Sequence, residues 1–207
     1  MSRPVRNELL FGPLAGEAVH LCVDMQELFR QDTPWKTPWM SRIAPVVTRI
    51  ARAHPRWNVF TRFIPADRSE AGVGAWKRYW RCWQALTLQQ LDPRLLSLLP
   101  ELSALCPPGQ VFDKAAYSPW MDGRLHRQLQ NTGCTTVIVT GGETDVCVLA
   151  TVIGAVDLGY RTLVVHDALC SSSDETHDAV MAIYSQRYSQ QIEVVTAELV
   201  LDEWRPA

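Results

Sequence analysis

Three side chains that could take part in nucleophilic catalysis each follow a short apolar run. Asp24 follows AVHLCV, Lys114 closes the segment QVFDK, and Cys147 lies just beyond TVIVTGG. A cysteine thiol can attack a carbonyl carbon, a carboxylate can accept the thiol proton, and an ammonium can stabilise the developing negative charge. Each of these residues alone is more often a helix cap, a surface lysine or a core cysteine, so only their combination predicts catalysis.

The residues before Cys147 predict a strand, a glycine turn and the start of a helix. Thr144 and Asp145 are residue types that begin helices. A thiol in the first helical turn faces the positive end of the helix dipole, which lowers its pKa. The free N–H groups of that turn can bind an oxyanion. A buried helix cysteine that packs on the sheet fits the same pattern.

Short apolar runs alternate with amphipathic segments along the chain. The predicted strands are 18–23, 57–61, 110–112, 136–139, 162–165 and 192–195, and the predicted helices are 38–53, 121–131, 145–158 and 174–188. This alternation is typical of a single-domain three-layer α/β/α sandwich with a mainly parallel six-stranded sheet. Ligands bind at the carboxyl ends of such strands, which selects Asp24, Arg62, Lys114, Gly141–Gly142, Cys147 and Asp167.

Segment 64–108 interrupts this alternation. It contains Trp76, Trp80 and Trp83, whose spacings of four and three place them on one helical face. A stripe of this kind can pack into the core. So long an excursion in a compact chain instead favours a lid over a pocket or a subunit interface.

The composition restricts the class of protein. The chain has 207 residues, of which 47% are hydrophobic and 20% charged, with a net charge of -2. These values are typical of a globular protein and exclude the basic field that nucleic acids or anionic membranes require. The chain has no 18-residue apolar run and no signal-peptide pattern, and its six cysteines lack CxxC spacing. We therefore expect a cytoplasmic protein that binds neither membrane nor nucleic acid.

Three segments resemble the isochorismatase-like cysteine hydrolases, a superfamily that includes nicotinamidases and N-carbamoylsarcosine amidohydrolase. They are VHLCVDMQELF, VFDKAAYSPW and VIVTGGETDVCVLATVIGAVDLGYRTLVVHDAL, which occur in the family's order. The resemblance implies that Asp24 is the base, Lys114 its electrostatic partner and Cys147 the nucleophile. It also implies a cis peptide between Gly142 and Glu143, and an oxyanion hole formed by the N–H groups of Glu143 and Cys147.

The resemblance further implies a homo-oligomer, either a dimer or a tetramer, and no cofactor. Nicotinamidases in this superfamily carry a histidine-containing metal motif after the second strand, where this chain reads FTRFIPADRSE. No histidine occurs between His54 and His126. We therefore predict no catalytic metal, and nicotinamide becomes a less favoured substrate.

An arginine could anchor the substrate, because its planar fork binds a carboxylate or a ureido oxygen. Arg62 and Arg68 are the candidates, although either could instead form a surface ion pair with Asp67 or Glu70. Gln26 is predicted to support the Asp24 loop. The candidates for the substrate pocket are Phe29, Trp35, Arg62, Trp76, Trp80, Tyr117 and Trp120.

The sequence thus predicts a cysteine hydrolase of a non-peptide C–N bond in a small amide, carbamoyl or ureido compound, acting through a thioester. A vinyl ether hydrolase of the isochorismatase type is one alternative, because that reaction uses the Asp and Lys without a nucleophilic cysteine. A catalytically silent binding or scaffold protein of the same fold is another.

Overall fold

A computed structural model describes residues 8–14 and 18–206. Six strands form one sheet in the order β3-β2-β1-β4-β5-β6, and every neighbouring pair is parallel. The strands are β1 Ala18–Val23, β2 Asn58–Phe63, β3 Gln110–Lys114, β4 Thr136–Gly142, β5 Arg161–Cys170 and β6 Ile192–Val195. The predicted α/β fold with a six-stranded sheet is confirmed.

Helices connect the strands and cover both faces of the sheet. They are α1 Glu27–Arg30, α2 Met40–Ala53, α3 Ala75–Cys82, α4 Pro100–Ser103, α5 Arg124–Asn131, α6 Leu149–Asp157, α7 Asp174–Arg187 and α8 Ala197–Glu203. A π-helical turn, Thr144–Val148, precedes α6. Short 3₁₀ turns occupy Pro55–Trp57, Gln84–Leu86 and Pro93–Leu96.

The two faces of the sheet have separate apolar cores. Ile43, Val47 and Ile50 of α2 are buried in one core, as their helical spacing predicted. Leu125 and Leu129 of α5 are buried in the other. Every residue of the central strands β1 and β4 is buried, as expected for parallel strands covered on both sides.

Strand β2 is longer than the sequence indicated, and this changes which side chains reach the site. The prediction ended it at Thr61, but it pairs with β3 as far as Phe63 and Lys114. Side chains alternate between the faces of a strand, so Thr61 and Phe63 share one face while Arg62 points to the other.

Segment 64–108 packs beside the sheet through α3, α4 and the turns between them. Trp80 is only 3% exposed, and its ring stacks on Phe63 with 6.2 Å between ring centroids. The segment therefore adds a wall of aromatic side chains next to the carboxyl end of β2. Among the described residues, no helix combines the length and the apolar character needed to cross a membrane.

Candidate active site

The carboxyl ends of β1, β3 and β4 place the predicted catalytic side chains together. Asp24 directly follows β1, Lys114 ends β3, and Cys147 lies in the π-helical turn after β4. All three are buried, with exposed fractions of 0%, 5% and 7% respectively. The backbone of Asp24 is left-handed, with φ 48°, a conformation that Asp tolerates better than most residues. This turns the chain out of the strand and into the loop before α1.

A buried ion pair joins the first two groups. Lys114 Nζ donates to Asp24 Oδ2 at 2.7 Å and to the carbonyl oxygen of Ala116 at 3.1 Å. The hydroxyl of Thr61 donates to Asp24 Oδ1 at 2.5 Å. Burial acts to lower the pKa of Lys114, but the charges of Asp24 and Cys147 and the hydrogen bond to Asp24 outweigh it, so the pKa is raised. The lysine is therefore a cation at neutral pH.

Cys147 completes the cluster with a thiol close enough to interact electrostatically with both members of the ion pair. Burial raises the pKa of this thiol well above its ordinary value, and the Asp24 carboxylate raises it further. Lys114 acts in the opposite direction without compensating. The expectation that the helix dipole lowers this pKa is therefore wrong for the free protein, because desolvation dominates. The sulfur is at rest a neutral thiol.

The turn that carries Cys147 is anchored through three consecutive side chains. Glu143 Oε1 accepts from the N–H of Ser172 at 2.9 Å. Thr144 Oγ1 donates to the carbonyl of Cys170 at 3.1 Å and contacts His177 Nδ1 at 2.9 Å. Asp145 accepts hydroxyl bonds from Ser171 and Thr176 at 2.5 and 2.6 Å. The sequence predicts that Asp145 caps its own helix. Its side chain instead ties the turn to the start of α7.

The peptide bond between Gly142 and Glu143 is cis. The carbonyl of Glu143 accepts from the N–H groups of both Val146 and Val148, at 3.1 and 3.0 Å. Cys147 stands between these two residues in the sequence, and its N–H does not bond to the carbonyl of Glu143. Gly141, at φ 106°, permits the close approach of β1, because a Cβ there would lie 2.1 Å from the carbonyl oxygen of Val23.

A cavity of about 370 Å³ opens above the sulfur. Six aromatic rings line it: Phe29, Trp35, Phe63, Tyr79, Trp83 and Tyr117. Its other walls are formed by Pro34, Lys36, Glu143, Val146, Cys147 and Ser172. The thiol of Cys147 therefore faces a mostly aromatic chamber of a size suited to a small molecule.

The cavity corrects several predicted wall residues. Phe29, Trp35 and Tyr117 line it, but Arg62, Trp76, Trp80 and Trp120 do not. Arg62 projects from the opposite face of β2 and forms a two-pronged pair with Asp113, at 2.7 and 2.8 Å. Arg68 is exposed at the surface. Neither arginine is a substrate anchor in this structure.

The three tryptophans that were wrongly predicted as wall residues, Trp76, Trp80 and Trp120, lie outside the cavity lining. Trp76 and Trp80 form a second aromatic layer, in which their rings stack 6.2 Å apart. Trp120 lies against α6, where its Nε1 donates to the carbonyl of Thr151 at 2.8 Å. Gly154 provides the room for this ring, because a Cβ there would lie 2.3 Å from Trp120.

Sequence reasoning missed Phe63 and Tyr79 as wall residues and treated Trp83 only as part of the tryptophan stripe. The rings of Tyr79 and Tyr117 pack edge to face, with 6.4 Å between centroids, and burial raises the pKa of both. Tyr79 belongs to the stripe, three residues after Trp76 and four before Trp83, and this spacing was the available signal. Asp167, which the strand-end rule selected, instead accepts a bond from the N–H of Ala197 at 2.8 Å.

The residues present do not fit a metal site. Within 8–14 and 18–206, no group of three or more His, Cys, Asp or Glu side chains could hold a metal ion. Histidine, which nicotinamidases place near the reacting ring, is not among the cavity-lining residues described.

Comparison with known proteins identifies the family. The family model of the Isochorismatase domain matches residues 18–197, which spans the whole sheet and all three clustered side chains. The chain belongs to the isochorismatase family. Its parallel six-stranded sheet, flanked by helices, is consistent with the fold of that family.

Three relatives show how far this isochorismatase-family protein resembles characterised chains. It is 28% identical over 99 residues to Isochorismatase family protein 1B of Dictyostelium discoideum, an alignment that spans only about half (47%) of that curated relative. A cysteine hydrolase from Pseudomonas syringae pv. phaseolicola superposes with a TM-score of 0.80 at 19% identity, covering 98% of each chain. A pyrazinamidase of Pyrococcus horikoshii in complex with zinc gives 0.67 at 21% identity, covering 87% of this chain and 99% of that one. The structural likeness shows the fold.

Proposed function

We propose that this protein is a cysteine hydrolase that cleaves the C–N bond of a small amide, carbamoyl or ureido compound. The observation that supports it is the Asp24–Lys114 ion pair, 2.7 Å long and buried, in contact with a thiol that lines a cavity. An ion pair that only stabilised the fold would not need a thiol beside it. The names of two structural neighbours, a cysteine hydrolase and a pyrazinamidase, support the same class of reaction.

The reaction begins with the neutral thiol. As the sulfur of Cys147 bonds to the carbonyl carbon, its proton passes to Asp24, and the C=O electron pair moves onto oxygen. The N–H groups of Glu143 and Cys147 stabilise that oxyanion. Lys114 stabilises the negative charge of the sulfur as it loses its proton, which offsets the raised pKa of the resting thiol.

The same groups then reverse their roles. The oxyanion re-forms the carbonyl, the C–N bond breaks, and Asp24 returns its proton to the departing nitrogen, so that ammonia or an amine leaves. Water attacks the thioester while Asp24 accepts its proton. The tetrahedral intermediate then re-forms its carbonyl group as the C–S bond breaks, the carboxylic acid departs, and the sulfur regains a proton from Asp24.

Replacing the sulfur tests this function. We expect Cys147→Ala to lower ammonia release from responsive amides by about 10⁴-fold or more, because it removes the group that bonds to substrate. Intact-mass spectrometry of the wild type during turnover should show the added acyl group. Cys82→Ser is the matched control, since Cys82 is an exposed thiol at the end of α3.

The outcome also separates the alternatives. Near-normal ammonia release by Cys147→Ala would overturn the covalent mechanism. Hydrolysis of a vinyl ether by both proteins, without ammonia release from amides, would favour the vinyl ether alternative, which is consistent with the family's name. If the wild type hydrolyses neither amides nor vinyl ethers, the protein is a binding member of the family.

We propose further that hydrolysis proceeds without a metal ion, since the described residues offer no set of ligands for one. Dialysis against a chelator should therefore leave ammonia release unchanged. A loss of activity that zinc or another divalent cation restores would contradict this proposal. The chelated protein should be checked by circular dichroism, so that unfolding is not mistaken for loss of a metal.

A further inference from the structure

We infer that the cavity selects amides whose acyl group is uncharged and apolar, such as a single flat ring, and rejects amides that carry a carboxylate. This inference rests on the proposed function and narrows its substrate class. It replaces the sequence-based expectation that an arginine anchors an acidic amide.

The walls of the cavity favour an apolar acyl group. Because Cys147 is the reacting atom, the acyl group attached to the carbonyl must occupy the ring-lined space above it. Trp35 contacts three other rings of these walls. The centroid of its ring lies 6.2 Å from that of Phe29, 5.9 Å from that of Phe63 and 5.8 Å from that of Trp83. Aromatic walls stabilise a bound ring through apolar burial and offset or edge contacts. The faces of these rings offer a carboxylate no cation and no hydrogen-bond donor.

The cationic side chains around the cavity are already paired with carboxylates of the protein. Lys114 is already paired with Asp24, and Arg62 with Asp113, so neither offers a free cation to a substrate. Lys36 is the cationic side chain among the described cavity-lining residues, but it is 48% exposed and lies 3.4 Å from Asp32. A solvated rim pair of this kind contributes little to binding.

Glu143 places a carboxylate in the wall of the cavity that the sulfur of Cys147 also lines. One of its oxygens is held by the N–H of Ser172 and the hydroxyl of Thr37, which fixes the side chain in the wall. A substrate carboxylate would therefore meet a like charge in a poorly solvated space, while a neutral ring would not.

The test compares two probes of equal shape. Isothermal titration of the Cys147→Ala protein with 4-nitrobenzamide and with 4-carbamoylbenzoate isolates the charge, because the nitro and carboxylate groups are isosteric. We expect the neutral probe to bind at least about tenfold more tightly. Equal or tighter binding of the carboxylate, or no saturable binding of the neutral probe, would overturn the inference.

A second measurement tests Trp35 in the active protein. Trp35→Ala should raise KM for 4-nitrobenzamide by about tenfold, while Trp35→Phe, which keeps a ring, should change it by less. Acetamide serves as the internal control, because it is too short to reach the ring walls. A parallel loss for both amides would indicate a folding defect and would remove Trp35 as a specificity residue.

Failure of the inference and failure of the proposed function are distinguishable. Tight binding of the neutral probe without ammonia release by the wild type would contradict the hydrolase and retain the selectivity. Release from carboxylated amides in preference to neutral ones would retain the hydrolase and contradict the selectivity.

Discussion

At the scale of single residues, the charge of Asp24 has two opposite effects on the sulfur. It makes the carboxylate able to accept the thiol proton, and it also raises the pKa of Cys147 by repelling the thiolate. Lys114 lowers that pKa. The raised pKa therefore favours the protonated thiol in the free protein, and in the proposed mechanism the sulfur gives up its proton only as it bonds to a carbonyl carbon.

Replacing Asp24 by Asn should separate these two effects. Turnover should fall by about 10³-fold, because the base is lost. The pKa of Cys147 should move down, because one repelling charge is removed while the cation of Lys114 stays. The pH dependence of alkylation by iodoacetamide, followed by mass spectrometry of the Cys147 peptide, measures this shift.

The control for this prediction is Thr61→Val, which removes a hydrogen bond to Asp24 but leaves its charge. Its alkylation profile should stay close to that of the wild type. An inflection in Asp24→Asn at the same or a higher pH than in the wild type would show that the carboxylate does not govern the sulfur.

At the scale of elements, the position of Trp120 depends on a helix that leaves room for its ring. Gly154→Ala should destabilise the protein by about 1–3 kcal/mol, because the new methyl group overlaps Trp120. In a Trp120→Ala background the same change should be neutral or stabilising by up to about 1 kcal/mol, since Ala favours helix over Gly. Urea unfolding of the four proteins of this cycle measures both values.

A positive cost of Gly154→Ala in both backgrounds would mean that α6 excludes the methyl group for another reason, and the contact with Trp120 would lose its role.

The strand ends were predictable from sequence, because parallel strands bring their carboxyl ends to one edge. This rule alone selected Asp24, Lys114 and the turn before Cys147. It failed for Arg62, because β2 continues to Phe63 and Arg62 points to the face of the sheet opposite that of Thr61 and Phe63.

Tyr79 could not be assigned, because segment 64–108 has no strand register to orient it. Its helical stripe identified the aromatic face but not what that face covers. For Gln26, by contrast, the sequence predicts a supporting role in the Asp24 loop. Its side chain bonds to the backbone N–H and carbonyl of Phe63, at 2.7 and 3.2 Å.

At the scale of the whole molecule, a buried histidine links stability to pH. His20 lies on β1 and bridges its neighbours through Asn58 on β2, at 2.6 Å, and Thr140 on β4, at 2.7 Å. Burial lowers the pKa of His20 from 6.5 to about 4. Between these values the unfolded chain binds a proton that the folded chain does not, so acid favours unfolding.

The free energy of unfolding should therefore fall as the pH decreases from about 6.5 to about 4, with up to about 3 kcal/mol due to His20. Urea midpoints measured across this range test the prediction. His20→Gln should be less stable at neutral pH but should show a shallower slope, and the difference between the two slopes isolates His20 from the other titrating groups. Parallel slopes would contradict the assignment.

The sheet order has a consequence for how activity is lost on heating. Lys114 belongs to β3, which is the outermost strand and has a strand partner, β2, on one side only. Asp24 and Cys147 follow the two innermost strands. Edge strands fray at lower free energy than central ones, so the ammonium would leave the thiol before the rest of the fold opens. Thermal inactivation would then precede melting, and the lost activity would return on cooling while the interior is still intact.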